Sequence, residues 1–221
     1  MNEMTELITT LNKIRNFNPD GLGWRKLLQH LNKTQADEEP LQFRVIVEAN
    51  GIKDALWCMR SAPEYDKDWR LFAVWCVRQV PHVASDPKAL ALLDVAERFA
   101  HGDATKDEVK DAWVSAADSF YSTAWEWVEG TKGYSSYQKQ YDGGRAVYDA
   151  QYAVYEVLFD GYYPGHSEYG AAVAACVACA ACAVYDLTRL NPINSSVCRA
   201  FDDTFNAAME AQKVEFLRVV S

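Results

Sequence analysis

The sequence predicts an all-α protein: an array of about ten helices with short connections, in places stacked as solenoid-like pairs. Three observations predict it. Proline and glycine are scarce, at seven and eleven in 221 residues, so little chain is left for loops. Hydrophobic residues make up 49% and aromatics 13%, which suits a sizeable core rather than a disordered chain. Apolar residues recur at helical spacing between recognisable start and stop signals.

The elements follow in order. From Glu3 to Phe17, Leu7, Ile8, Leu11 and Ile14 lie at helical spacing until Asn18-Pro19-Asp20-Gly21 breaks the pattern. Trp24, Leu27, Leu28 and Leu31 resume it, and a polar connector runs from Asn32 to Glu39. Its Asp37-Glu38-Glu39 cluster reads as a solvated turn before Pro40. Pro40 suits the first turn of a helix running through Phe43, Val45, Ile46 and Val47, with a strand as the rival because the run is β-branched; Asn50-Gly51 closes it. Asp54 to Arg60 is a short helix ended by Pro63. Asp66 or Asp68 can cap the next, Trp69 to Val80, with Pro81 at its end. Asp86-Pro87 starts another, since an acid at the N-cap and Pro at the first helical position suit a helix start. That helix stops at His101-Gly102. Asp103 or Thr105 can cap the next helix, with Thr105 and Glu108 at capping-box spacing, and it runs to about Glu129. Residues 131–144 turn to Gly, Ser, Tyr and Gln. A helix from Arg145 to Phe159, an Ala- and Cys-rich helix from Glu168 to Leu190, and a last helix with Phe201, Phe205, Met209, Phe216 and Leu217 complete the chain. The divisions are 1–40, an N-terminal helical pair; 41–130, a scaffold; and 131–221, a Tyr-rich connector and C-terminal helices packed on it. Together they read as one continuous domain.

A net charge of −9 and a pI of about 4.9 argue against broad nucleic-acid binding and against docking on anionic membrane. The opening MNEMTELITTLNKIRNF has an acid near its start and no apolar core of signal-peptide length. Free cysteines in apolar text then suggest a reducing cytoplasm, that of a bacterial host in the reading below. Tyr169 to Tyr185 is uncharged and close to the lower limit for a membrane span. Alanine drives insertion weakly, so a buried helix is expected.

Four groups of residues carry possible chemistry. Cys176, Cys179 and Cys182 have the spacing of thiolate ligands, with Cys198 as a fourth, but they sit in AAVAACVACAACAV. Helix packing is expected there and a metal site is the alternative. The histidines are scattered, and no phosphate loop, dinucleotide fingerprint or nucleophile elbow is present. Arg70 and Arg78 on one helix and Asp94 and Glu97 on the next read as structural ion pairs fixing helix packing. Ten of the twelve tyrosines fall between Tyr121 and Tyr169. Tyr148, Tyr152, Tyr155 and Phe159 form a helical stripe that reads as core. Tyr134, Tyr137 and Tyr141 lie in polar text and, with Tyr148, Tyr162 and Tyr163, are the expected partner-binding surface, because tyrosine joins large contact area to a hydroxyl.

Four segments, EANGIKDALWCMRS, DWRLFAVWCVRQV, DPKALALLDVAERFAHGDAT and the closing AAMEAQKVEFLRVVS, resemble a family of helical proteins from phages and bacteria, some of them labelled immunity proteins of toxin systems. The resemblance covers about residues 41–115 and the last fifteen, and the chain departs from the family's Ala-rich pattern between Tyr121 and Tyr169. It implies an all-α array and a phage or mobile-element setting, and it carries over no catalytic residue. The resulting expectation is a non-enzymatic, cytoplasmic inhibitor of a bacterial defence component such as a CRISPR effector, met as a protein or nucleoprotein complex. The alternatives are a toxin-neutralising immunity protein and a metal-binding or enzymatic protein using the cysteines. No cofactor, membrane or sequence-specific nucleic-acid contact is expected, and a homo-oligomer is left open.

Overall fold

A computed structural model describes residues 6–84, 86–130, 132, 152, 154, 155 and 195–221. Helix occupies 77% of them, which establishes the all-α class, with fewer than ten helices among the described residues. They are α1 (Leu11–Arg15), α2 (Gly21–His30), α3 (Phe43–Asn50), α4 (Ile52–Cys58), α5 (Asp66–Arg78), α6 (Pro81–Ala84), α7 (Pro87–His101), α8 (Lys106–Gly130) and α9 (Ser195–Val220). Two single 3₁₀ turns, Met59–Ser61 and Pro63–Tyr65, bend the chain between α4 and α5.

The first departure from the expected helices is at the N-terminus. Ile8–Thr9 forms β1, paired antiparallel with β2 (Leu41–Gln42) in the register Ile8 to Gln42 and Thr9 to Leu41. The helix starts only after Thr10, whose Oγ1 accepts the Lys13 N–H at 3.1 Å and so fixes the N-cap. Thr9 is buried, and its hydroxyl shares a 2.7 Å hydrogen bond with that of Ser61. The β-branched run Phe43, Val45, Ile46 and Val47 is helical throughout, as α3, and Pro40 stands outside its first turn because β2 (Leu41–Gln42) comes between them. The Asp37-Glu38-Glu39 turn is clamped at both ends, by Lys33 on Asp37 and Glu39 (2.6 and 2.7 Å) and by Asn12 donating to Glu38 at 2.8 Å.

Local chemistry explains most other boundaries. The Asp20 carboxylate accepts the N–H groups of Leu22 and Gly23 and caps α2. That helix closes in a Schellman arrangement: Asn32 takes a positive φ of 53°, Lys33 donates to the Leu28 carbonyl, and Asn32 donates to that of Gln29. Gly51, at φ 92°, ends α3 and begins α4 at once. Asp86 caps α7, accepting the Lys88 N–H at 2.9 Å. Thr105 and Glu108 bond reciprocally: Glu108 N–H donates to the Thr105 hydroxyl at 3.2 Å, and Thr105 N–H to the Glu108 carboxylate at 2.8 Å. Neither Asp66 nor Asp68 caps α5, because the preceding 3₁₀ turn runs straight into it and both lie in the first helical turn. Pro81, expected only as a stop, also opens the short α6.

Successive helices pack as neighbours: α3 on α4, α5 on α7, α7 on α8. The C-terminal helix breaks the sequential order by returning to α5 and α3. Its Phe216 is fully buried among Phe43, Trp69 and Phe72, with ring centroids 6.2, 6.0 and 5.4 Å away. The chain is tied further where the Leu7 N–H donates to the Val220 carbonyl. One hydrophobic cluster therefore runs from Leu7 to Val220.

Candidate functional site

Three places in this scaffold carry exposed or unusually arranged chemistry. The first is the outer face of α8. The inner face buries Val109, Ala112, Ala116 and Phe120, stepping by three and four residues. Phe120 meets the rings of Tyr152 and Tyr155 at 5.2 and 5.5 Å, so those two members of the expected Tyr148–Phe159 stripe pack against α8. The outer face carries a second apolar row: Val114, Tyr121, Trp125 and Val128, all exposed, with Tyr121 at 62% and Trp125 at 67%. Steps of seven, four and three residues put them on one side of the helix. Asp118, Glu126 and Glu129 stand in the same stretch, and no Lys or Arg occurs from Asp111 to Gly130.

The second place is the groove of about 280 Å³ between α5, α7 and α9, beside which three of the four expected ion-pair residues meet. Arg78 reaches across from α5 to α7, its Nη2 bonding Asp94 and Glu97, each at 2.6 Å. Glu215 and Arg218 form a second pair on the α9 side, also at 2.6 Å. Arg70 is not part of this network. It is buried, bonds Asp66 one turn back on its own helix at 2.8 Å, and lays its guanidinium 5.3 Å from the Phe99 ring centre. The Arg78 cluster is half exposed, so it orients helices while adding little net stability.

The third is a cavity of about 190 Å³ between α1, α2, α3 and α4. Ile14, Pro19, Trp24, Leu27 and Trp57 give it apolar walls, while Asp20, Asn50, Lys53 and Asp54 supply polar groups. Asn50 donates from Nδ2 to the Gly23 carbonyl at 2.8 Å and to Asp54 Oδ2 at 2.7 Å. Gly23 is needed here: a Cβ on it would lie 2.7 Å from Asp54 Oδ2. Cys58 lines the same cavity, but burial, with the nearby Asp54 charge adding, pushes its thiol up to about 12. It is a neutral packing group near neutral pH rather than a nucleophile.

The partner-binding tyrosines Tyr134, Tyr137, Tyr141, Tyr148, Tyr162 and Tyr163 lie outside the described residues, as do Cys176, Cys179, Cys182 and the Tyr169–Tyr185 run. Cys198 falls on α9, with its side chain outside the description. Among the described residues no three His, Cys, Asp or Glu side chains gather as metal ligands, and no helix is long and apolar enough to cross a membrane. Sequence reasoning missed the outer row of α8 and the Asn50–Asp54 pair. The first had a signal, since α8 carries more large apolar residues than one buried stripe needs. Compared with protein-family models, curated proteins and solved structures, the chain matches none.

Proposed function

We propose that this chain is a non-enzymatic protein-binding inhibitor that docks through the outer face of α8. The observation that carries the proposal is the exposed row Val114, Tyr121, Trp125 and Val128. Isolated apolar residues are ordinary on a protein surface, but Tyr121, Trp125 and Val128 lie within two turns on one side of the helix, with Val114 two turns before them. Trp and Tyr supply most of the energy in many interfaces, because large rigid rings lose little entropy when fixed. The carboxylates Asp118 and Glu126, in a stretch without Lys or Arg from Asp111 to Gly130, select a partner rich in Lys or Arg, while Glu129 is already paired with Lys132. A basic nucleic-acid-binding groove is the surface this face complements. Tyr134 follows α8 by four residues, so the tyrosine surface expected from the sequence adjoins this row along the chain. The resemblance noted in the sequence directs the proposal at a bacterial target: a defence component such as a CRISPR effector, or the cognate toxin of an immunity protein.

Affinity capture from bacterial lysate tests the proposal with three proteins: the wild type, the double variant Tyr121→Ser with Trp125→Ser, and Val214→Ser. Val214 is 68% exposed on α9 and serves as the control for a generic apolar surface. The expected result is a basic protein retained by the wild type and by Val214→Ser, released by added salt, and held at least tenfold more weakly by the double variant, since two interface aromatics together exceed about 1.4 kcal/mol. Equal capture by the double variant overturns the assignment. The identity of the retained protein separates a defence effector from a toxin.

A further inference from the structure

The cavity between α1, α2, α3 and α4 has a polarity that apolar packing does not explain. Its polar groups are mostly spent. Asp20 Oδ2 accepts two backbone N–H groups as the α2 cap. The Lys53 ammonium sits 5.5 Å from the centre of the Phe205 ring. Asn50 donates twice through Nδ2, to a carbonyl and to a carboxylate. Those two partners are pure acceptors, which fixes the amide orientation, because a flip would set three acceptors against one another. The consequence is that Asn50 Oδ1 is buried with no hydrogen-bond partner, while Asp54 uses one oxygen on Asn50 and faces no positive side chain within ion-pair distance among the described residues. The capacity left at the cavity is therefore the second oxygen of the Asp54 carboxylate.

We infer that this cavity binds an organic cation, a primary ammonium or guanidinium on a short aliphatic stem, with the Asp54 carboxylate accepting its N–H groups and Trp24 and Trp57 enclosing it. The polar complement left over is a carboxylate, which calls for a donor that is also positive. The aromatic walls favour the same ligand, since indole faces attract cations. Trp57 already holds the Arg60 guanidinium 4.4 Å from its centre. The volume suits the size: a dry cavity of about 150 Å³ takes a benzene, so about 190 Å³ admits roughly eight non-hydrogen atoms. Gly23 keeps the arrangement open, because its missing Cβ lets the Asp54 carboxylate approach the α2 backbone. The inference rests on the cavity alone and is independent of the α8 face.

Calorimetric titration of the full chain tests it with n-butylguanidinium and with n-butylurea, a neutral molecule of nearly the same shape. A second arm uses acetyl-Gly-Arg-Gly-amide against the same peptide with citrulline in place of arginine. The expected result is that the cation binds at least tenfold more tightly than its neutral counterpart in one arm or both, that Asp54→Asn removes this preference, and that Tyr121→Ser with Trp125→Ser leaves it intact. Preference for the free cation alone assigns a small-molecule ligand; preference in the peptide arm assigns a partner's basic side chain. Equal binding of charged and neutral probes, an unchanged preference in Asp54→Asn, or no binding in either arm overturns the inference. If thermal melting shows Asp54→Asn to be unfolded, the charged-against-neutral comparison on the wild type decides alone.

Discussion

Replacing Phe216 by Ala measures how far the C-terminal helix is part of the core. The side chain is fully buried, stacked on Trp69 with the ring planes 10° apart and edge-on to Phe43 and Phe72. Losing the ring forfeits about 2–3 kcal/mol of transfer free energy. The void it leaves, roughly 80 Å³ before relaxation, adds about 2 kcal/mol at about 24 cal/mol per Å³. The expected loss is about 4 kcal/mol, a large fraction of the roughly 5–15 kcal/mol that holds a typical domain together. Urea unfolding followed by tryptophan fluorescence and far-UV circular dichroism reads it as a fall in midpoint with the slope unchanged. Melting falls by about 8–16 °C at about 2–4 °C per kcal/mol. Trp125→Ala is the matched control, since its ring is mostly in water, and it shifts stability by no more than about 0.5 kcal/mol. A loss below about 1 kcal/mol for Phe216→Ala, or an equal loss for Trp125→Ala, would refute the packing of α9 and the exposure of the α8 row together.

Three further outcomes follow from named groups. The Glu108 carboxyl is held below its ordinary value, first by the Thr105 backbone N–H and then by Arg98; a depressed carboxylate stabilises the fold above its unfolded pKa and loses that contribution as pH falls through the folded one, so the melting difference between wild type and Glu108→Gln shrinks between about pH 5 and pH 3. With its thiol at about 12, Cys58 resists alkylation in the native protein at mildly alkaline pH and reacts on unfolding, as peptide mapping by mass spectrometry reads; ready native labelling would contradict its burial. Arg78→Met costs less than about 1 kcal/mol, and the cost declines with added salt, because the Asp94 and Glu97 bonds are half exposed.

What the sequence revealed was the chemistry that acts over a few residues. Asp86-Pro87, the Thr105–Glu108 box and the stop at Gly102 all depend on groups within one helical turn, and the structure places each where the spacing predicts. Ile8–Thr9 was illegible because its strand pairs with residues more than thirty positions away, and the Leu7-Ile8 text fits a helix equally well. Arg70 was assigned to the acids of the next helix, but α5 begins three residues earlier than its apolar pattern, which brings Asp66 within reach one turn back. The candidate sites were hidden for the same reason. Asn50 and Asp54 meet Gly23 only after α2 folds onto α3, and the exposure of Tyr121 and Trp125 is settled only by which face of α8 is covered.

The central claim, that this chain works by docking through α8, is tested most directly by a photo-crosslinking residue placed at position 125 and, in a second protein, at position 214. Both positions are about equally exposed, on different helices. After irradiation in the bacterial cell, position 125 should give a discrete adduct with a basic protein that position 214 does not give. Identical adducts from the two positions, or none from position 125, would contradict it.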